Sequence, residues 1–539
     1  MPRVRLDRIV RPVVFAPLLL VLAASAAYWL ADRSLPNPDE GAYLTAAAKI
    51  LRGGVFYREI DAYPLPGSSY LLALAMSIFG EHLSVARALA GASWCAMVLG
   101  VYAAALRLTS RERVALCGVS LLALKFWAFP NFTAYLYSDL AIALAVVALA
   151  VFLRRDPQAA PTRLVVLGVL TGLAVLAKQN TGIYLGGAIA ALLLWPGLRG
   201  VQPRREIAAF AAGVAGVALP AALYFASEGL LGQMVFSGFV RPFTGYLPTS
   251  GVSPLPPLAW WEFGQLREGA GSPYLPLLLN EMIHRSWLPG ATEAWSICAE
   301  LFSRSVYLGL LLAFAACGIQ WRRGRRDPRF VSSVCICLAI VASAFPRADY
   351  PHIINVYPVV LLMLFSLGTG ERIRAASTAV AVGLLLTALL ALRYDSFLTH
   401  RLALDRADLW VRSSDAWVAP VIETVRRDVS PSEPLFVYGH EAYYYFLSDR
   451  YFPWPFSQLY PGMAGGDGGR RLTARLRETR PRIVLEGVGS WPGMPRLASY
   501  TGDLERAIDG MYRDETEATV VAAELPARWV FGLLRLRRR

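Results

Sequence analysis

Two adjacent carboxylates, Asp39 and Glu40, open the stretch PNPDEGAYLTAAAKILRGGVFYREIDAYPLPG, which follows a basic N-terminus and one hydrophobic block. A carboxylate just outside a membrane span is placed to take a proton from a hydroxyl beside the head group of a lipid-borne substrate. Asp61 and Tyr63 follow before the next apolar run, and Arg58 adds an anion-binding cation at similar depth. The same residues also suit a plain helix start. Asn37 can be its N-cap, Pro38 suits its first turn, and Glu40 can close a capping box. Tyr43, Leu44, Ala47, Ile50 and Leu51 then form one apolar stripe, and Gly53-Gly54 stops the helix.

Lysine usage supplies a second set of candidates. Lys49, Lys125 and Lys178 are the only three lysines among dozens of arginines. Lys125 and Lys178 fall within or at the end of apolar blocks, where a cation is costly and marks a functional position unless it snorkels to the interface. Lys178 is followed by Gln179, Asn180 and Thr181, so a phosphate there would meet an ammonium and several hydrogen-bond donors. In FPRADYPHIINVYP, Arg347, Asp349, Tyr350 and His352 crowd a short polar turn between two apolar blocks. They form either a ligand site or a surface pair with an interfacial tyrosine. Arg241 lies between aromatics in GFVRPFTGYLP, expected as part of a lid or interfacial helix over a cavity.

Several other residues carry less. Asp139 suits a helix N-terminus, and Glu281, His284 and Arg285 have suggestive types, but nothing in their spacing forces a metal site. Gly439-His440-Glu441 reads better as a strand-turn-helix with aromatic packing than as catalytic. The six cysteines form no CxxC pair, so neither a disulfide framework nor a zinc site is expected. No metal or cofactor is expected.

The elements that position these residues follow from hydropathy and charge. Apolar blocks of about 20 residues, the length that crosses a bilayer, fill the chain up to Arg393. The expected spans are Arg11–Ala31, Ser84–Leu106, Val114–Phe129, Asp139–Phe152, Leu164–Ala177, Gly182–Trp195, Ile207–Ala226, Leu301–Gln320, Phe330–Phe345, Pro351–Leu367 and Ala375–Leu392. Every second loop is then arginine-rich and hence cytoplasmic. The other face holds the first external loop (32–83), the large external loop (227–300), Arg347–Tyr350 and the tail. Pro66–Gly80 is too short to span and is expected at the interface. The net charge of +14 is largely this topogenic arginine, so no nucleic-acid partner is implied. Residues 394–539 are more polar. Leu435–Tyr438, Ile483–Leu485 and Val520–Ala523 read as strands, and Glu441–Leu447, Gly469–Glu478 and Leu504–Tyr512 as helices, a small α/β domain beside a membrane region of residues 1–393.

Four motifs together resemble a known family: PDEGAYLTAAAKILRGG; the following P-x-P-G before an apolar segment ending in FGE, with Arg87 soon after; LAK at the end of a span; and VYG…YYYFLSDR in the tail. The resemblance is to bacterial glycosyltransferase family 39 and its relatives of the GT-C superfamily, the protein O-mannosyltransferases and aminoarabinose transferases. It fits the fold read above from hydropathy and charge, a polytopic α-helical membrane protein with about 11 transmembrane helices and a small extracytoplasmic α/β domain. It also implies a polyprenyl-phosphate-linked sugar donor, a lipid, glycan or protein acceptor, membrane lipids as surroundings, and an external active site in the bacterial inner membrane. Its first-loop aspartate base corresponds to Asp39 and its donor-phosphate cation to Lys178; Glu40 is expected to assist catalysis by orienting the acceptor or its partner residues. Arg58, Asp61, Tyr63, Lys125, Gln179, Arg241, Arg347, Asp349 and His352 are the further substrate-binding candidates. Such transfer needs one base and a cation on the leaving phosphate, and a single displacement inverts the anomeric carbon. A flippase for a lipid-linked sugar is the alternative, and a ligand-binding receptor a third reading.

The charge pattern generates a topological test. In a cysteine-free background, single cysteines replacing Ser250 and Ser432 are expected to react with a membrane-impermeant maleimide on intact cells. One replacing Ser110 is expected not to. Labelling at Ser110 with protection at Ser432 would invert the orientation.

Overall fold

The computed structural model describes residues 12–155, 162–195, 203–246, 293–347, 349–368, 371–464, 467–487, 496–514 and 534–538. Trp260, Trp261, Glu281, His284, Arg285 and the expected strand Val520–Ala523 lie outside the described residues.

The chain is mostly helical. In order, the helices before residue 400 are α1 Pro12–Leu30, α2 Pro38–Leu51, α3 Gly67–Phe79, α4 Leu83–Leu108, α5 Arg111–Trp127, α6 Tyr137–Phe152, α7 Thr162–Ala177, α8 Gln179–Leu194, α9 Pro203–Ser227, α10 Leu231–Val235, α11 Glu293–Arg322, α12 Pro328–Ala342, α13 Tyr350–Leu362 and α14 Glu371–Asp395. A helix stands at each expected span. Among the described residues four stretches are long and apolar enough to cross a membrane: Val13–Leu30, Leu83–Leu108, Pro203–Ser227 and Tyr350–Leu367. The other apolar helices are shorter. α3 is a 13-residue helix that leaves Leu71, Leu74, Ile78 and Phe79 uncovered along one side. That uncovered apolar stripe suits the interfacial placement expected for Pro66–Gly80.

One core runs through the bundle, from Leu19 of α1 through Met97, Leu121, Val146, Leu167 and Ile189 to Ile354 and Val360 of α13. Where water does not drive helices together, close backbone approach does. Gly168 of α7 and Gly213 of α9 meet this way. A methyl group on Gly168 would stand 2.1 Å from the Phe210 carbonyl oxygen.

The C-terminal segment contains the hairpin β1 His400–Leu404 and β2 Ala407–Val411, then α15 Val418–Asp428, β3 Phe436–Tyr438, α16 Tyr443–Ser448, α17 Arg470–Thr479, β4 Ile483–Gly487, α18 Ala498–Met511, β5 Arg513–Asp514 and β6 Leu534–Arg538. The four-stranded sheet has the order β3-β4-β6-β5. Its β3–β4 pair is parallel, and β6 runs antiparallel to its neighbours. This segment shares its core with α2, α3 and α4: Tyr43, Leu44, Ala47, Leu72, Met76 and Ala86 pack with Phe436, Tyr444, Phe446 and Val484.

Helix α2 is the junction. Asn37 caps it, its side-chain oxygen accepting from the Glu40 N–H at 2.8 Å. One face carries Gly41, Thr45 and Lys49 at helical spacing, and each meets the C-terminal segment. A Cβ on Gly41 would lie 2.4 Å from the Tyr443 nitrogen, so only glycine admits this crossing with α16. The Thr45 hydroxyl donates to the Ala442 carbonyl at 2.9 Å, and the Lys49 ammonium to that of Trp454 at 2.9 Å. The start of α2 is fixed from below by Glu40. Its carboxylate accepts two bonds from the Arg87 guanidinium of α4, both 2.9 Å, and one from the Tyr135 N–H at 2.9 Å.

Breaking one member of a buried ion pair strands the other charge and costs about 3–5 kcal/mol. Glu40→Gln is therefore expected to lower the thermal unfolding temperature sharply in detergent. Asp39→Asn, one residue away, is expected to leave it nearly unchanged. Equal thermal behaviour of the two variants would remove the Glu40–Arg87 pair from its structural role.

Candidate functional site

A cavity of about 560 Å³ opens at one end of the bundle, walled by helix ends and by the C-terminal segment. Four helix N-termini line it: Pro38 and Asp39 of α2, Tyr137 of α6, Gln179 of α8, and Tyr350 and Pro351 of α13. Each brings the positive end of a helix dipole to the wall, and α6 and α8 have no side-chain cap, so the convergence favours an anion.

Asp39 is exposed to this space. Its Oδ1 accepts from Gln458 Nε2 at 3.2 Å and from the Tyr460 hydroxyl at 3.4 Å. Lys178, just before α8, also lines the cavity; its ammonium donates to the Ser343 carbonyl at 3.2 Å and lies 5.6 Å from the Tyr137 ring centre. Gln179 turns its amide to the carbonyls of Tyr63 and Gly238, at 3.0 and 2.7 Å. Tyr63 lines the cavity with its hydroxyl bonded to the Pro461 carbonyl at 2.9 Å.

Arg347, Asp349 and His352 form one connected group on the cavity wall. Arg347 Nη2 stands 2.6 Å from Asp349 Oδ2, and the His352 ring Nδ1 bonds the other oxygen, Oδ1. Asp349 also caps α13 through the His352 N–H. Burial alone would raise its pKa, but the His352 ring and the Arg347 guanidinium hold it down to about 2. The stabilisation from this depressed carboxylate is present above its unfolded value and is lost only as pH falls from about 4 toward 2.

Glu40, Arg58, Lys125 and Arg241 stand outside the cavity and Asp61 on its wall, each engaged by a different partner. Glu40 is buried under it, engaged by Arg87. Arg58 is half-exposed and paired with Glu228 at 3.1 Å. Lys125 is fully buried: its ammonium donates to the Phe132 carbonyl and lies 5.6 Å from the Trp94 ring centre. It has no exposed face to offer a substrate. Asp61 touches the cavity, but its Oδ2 is held by Arg241 at 2.7 Å and Ser237 at 3.2 Å. Burial raises the Asp61 pKa despite that guanidinium. Arg241 is itself sandwiched between the rings of Phe236 and Phe456, at 5.4 and 5.0 Å. It ties the cavity wall together from behind. Asn131, Gln458 and Tyr460 line the cavity and were not among the substrate-binding candidates; Asn37, expected only as an N-cap, lines it too. Neutral side chains give no charge signal, and Gln458 and Tyr460 lie more than 400 residues from their partner.

Among the described residues no group of three His, Cys, Asp or Glu is arranged to hold a metal ion. His440 sits buried in the β3–α16 turn, with its ring stacked on Tyr460 at 4.6 Å, so it packs as expected.

Comparisons with known proteins agree with this architecture. A family model, dolichyl-phosphate-mannose-protein mannosyltransferase, matches residues 63–225. Among solved structures, ArnT from Cupriavidus metallidurans bound to undecaprenyl phosphate aligns with a TM-score of 0.55 at 15% identity, covering 97% of each chain. The oligosaccharyltransferase AglB from Archaeoglobus fulgidus, in complex with an inhibitory peptide and a dolichol-phosphate, aligns with a TM-score of 0.52 at 12% identity, covering 97% of this chain and 76% of that one. No curated protein sequence matches. The resemblance expected from the sequence is borne out in the fold, which the chain shares with the ArnT and AglB structures, and the family model matches within the helical region. The apolar helices fit an integral membrane protein.

The Asp61–Arg241 pair yields a pH test. Arg241→Met leaves a desolvated carboxyl without its cation, at a cost of about 3 kcal/mol or more. Because the folded protein raises this carboxyl's pKa, stability is retained at low pH and lost as pH rises. The drop in unfolding temperature relative to the parent is therefore expected to be larger at pH 8 than at pH 5, and Asp61→Asn in the same chain is expected to reduce it. A pH-independent drop would mean that Asp61 is solvated.

Proposed function

We propose that the chain moves a sugar from a polyprenyl-phosphate donor to an acceptor hydroxyl on the external face of the membrane, by a single inverting displacement. The observation that carries this reading is the meeting of Asp39 with Lys178, Arg347 and His352 in one cavity ringed by helix N-termini. The undecaprenyl phosphate of the ArnT structure and the dolichol-phosphate of the AglB structure are ligands of the same chemical kind.

Asp39 takes the proton of the acceptor hydroxyl while that oxygen bonds to the anomeric carbon. The anomeric C–O bond to phosphate breaks, and the pair of electrons leaves with polyprenyl phosphate. Negative charge grows on the leaving oxygen, where Lys178, with Arg347 or His352, stabilises it together with the α8 N-terminus. Glu40 acts through position, holding the first turn of α2 so that Asp39 faces the cavity. Residues 394–539 would stand on the same external side as a domain docked on the membrane region.

Purified protein in nanodiscs, given labelled undecaprenyl-phosphate sugars, is expected to consume one of them; a flippase would move it unchanged. Asp39→Asn keeps the shape and removes the base, so turnover is expected to fall by about 100-fold or more. Lys178→Met is expected to weaken donor binding by about 10- to 100-fold, with Lys178→Arg recovering part. Parent-like turnover in Asp39→Asn would end the assignment of the base. Parent-like donor binding in Lys178→Met would place the phosphate elsewhere.

A further inference from the structure

The carboxylate of Asp39 is not fixed by its own helix. Asn37 serves as the N-cap of α2, and Glu40 is turned away into its pair with Arg87. Among the described residues, the hydrogen-bond donors that reach Asp39 are Gln458 and Tyr460. Both act on Oδ1, which leaves Oδ2 as the oxygen open to take a proton.

These two donors are themselves held. The residue between them, Leu459, donates its N–H to the Gly439 carbonyl at 3.3 Å and accepts from the Tyr500 hydroxyl at 2.6 Å. Gln458 is buried, and the Tyr460 ring stacks on the buried His440 at an interplanar angle of 19°. Burial lowers the His440 pKa to about 4, so a neutral ring backs Tyr460 at neutral pH. The preceding turn is tied to α2 and its sequel through Lys49 to Trp454 and through the Asp61 N–H to the Pro455 carbonyl at 2.9 Å. A side chain braced at this many points can hold another within the narrow tolerance that proton transfer needs.

We infer that Gln458 and Tyr460 are positioning residues for Asp39, so that the C-terminal segment completes the site rather than merely covering it. This rests on Asp39 being the base. Gln458 orients the carboxylate through its amide. Tyr460 does so through its hydroxyl, with its ring fixed by His440.

Two measurements on the full chain in nanodiscs test it. The first needs no substrate: unfolding temperatures of Asp39→Ala, Gln458→Leu and the double variant. Residues in contact are non-additive, so the double variant is expected to lose less than the sum of the single losses; additive losses would overturn the contact. The second uses the labelled undecaprenyl-phosphate sugar that the parent consumes. Gln458→Leu/Tyr460→Phe is expected to lower kcat by about 10-fold, the scale of a lost bond to a charged group. Its donor KM and its affinity for undecaprenyl phosphate are expected to stay within about twofold of the parent. An unchanged kcat, or a loss matched by a fall in donor affinity, would overturn the positioning role. A parent that consumes none of the sugars would instead remove the proposed function, and the thermal cycle alone would then decide the contact.

Discussion

The Arg87 guanidinium and the Glu40 carboxylate face each other with 1% and 0% of their side chains exposed. A lone charge at that depth would cost several kcal/mol, so each holds the other in place. Arg87 also donates to the carbonyls of Ala31 and Arg33, at 3.1 and 2.9 Å, and Glu40 also receives the Tyr135 N–H. One ion pair thereby fixes the exit of α1, the start of α2, the body of α4 and the approach to α6. Asp39 is the next residue along α2, so the pair sets both its height and its direction. A substitution that loosened the pair would move the carboxylate before it moved anything in the bundle core.

The three lysines share one physical habit. Lys49 donates to the Trp454 carbonyl, Lys125 to that of Phe132 and Lys178 to that of Ser343. A buried ammonium without such an acceptor would be unsatisfied, and each one closes a bond between segments distant in the chain or across a turn. What separates Lys178 is that it also lines the cavity. An incoming phosphate would supplement or replace a neutral carbonyl there, whereas at Lys125 it would have to break into a closed interior. Asp139 lies within electrostatic reach of both Lys125 and Lys178, so one buried carboxyl group neighbours both cations.

The helices were legible because their apolar blocks and arginine-marked loops repeat one physical constraint many times. The N-cap at Asn37 and the arginine-aspartate-histidine turn at Arg347–His352 were legible because the chemistry is local. The roles of Glu40 and Asp61 were not, since adjacent or nearby carboxylates look alike until their partners, Arg87 and Arg241, are known. The scarcity of lysine pointed correctly at unusual positions but could not distinguish a cavity wall from a clamped interior. The β1–β2 hairpin escaped because its turn, Asp405-Arg406, carries no glycine or asparagine. Its pairing is supported from outside instead, by bonds between Trp410 and residues 32–34.

Sequence distance also explains why the site is assembled as it is. The groups suited to an anion, Lys178, Arg347 and four helix N-termini among the described residues, belong to the helical region. The groups that touch Asp39 belong to the C-terminal segment. Asp39 lies at the seam, on a helix whose one face is sewn to that segment through Gly41, Thr45 and Lys49. The position of the carboxylate relative to the cations is therefore set by how the C-terminal segment sits on α2, and α3 and α4 share the core that holds it there. Because the seam is closed by backbone contact at Gly41 rather than by long side chains, it has little room to slide. That rigidity suits the role proposed for Asp39, since a carboxylate held at a fixed distance from the cations has its geometry set before any ligand arrives.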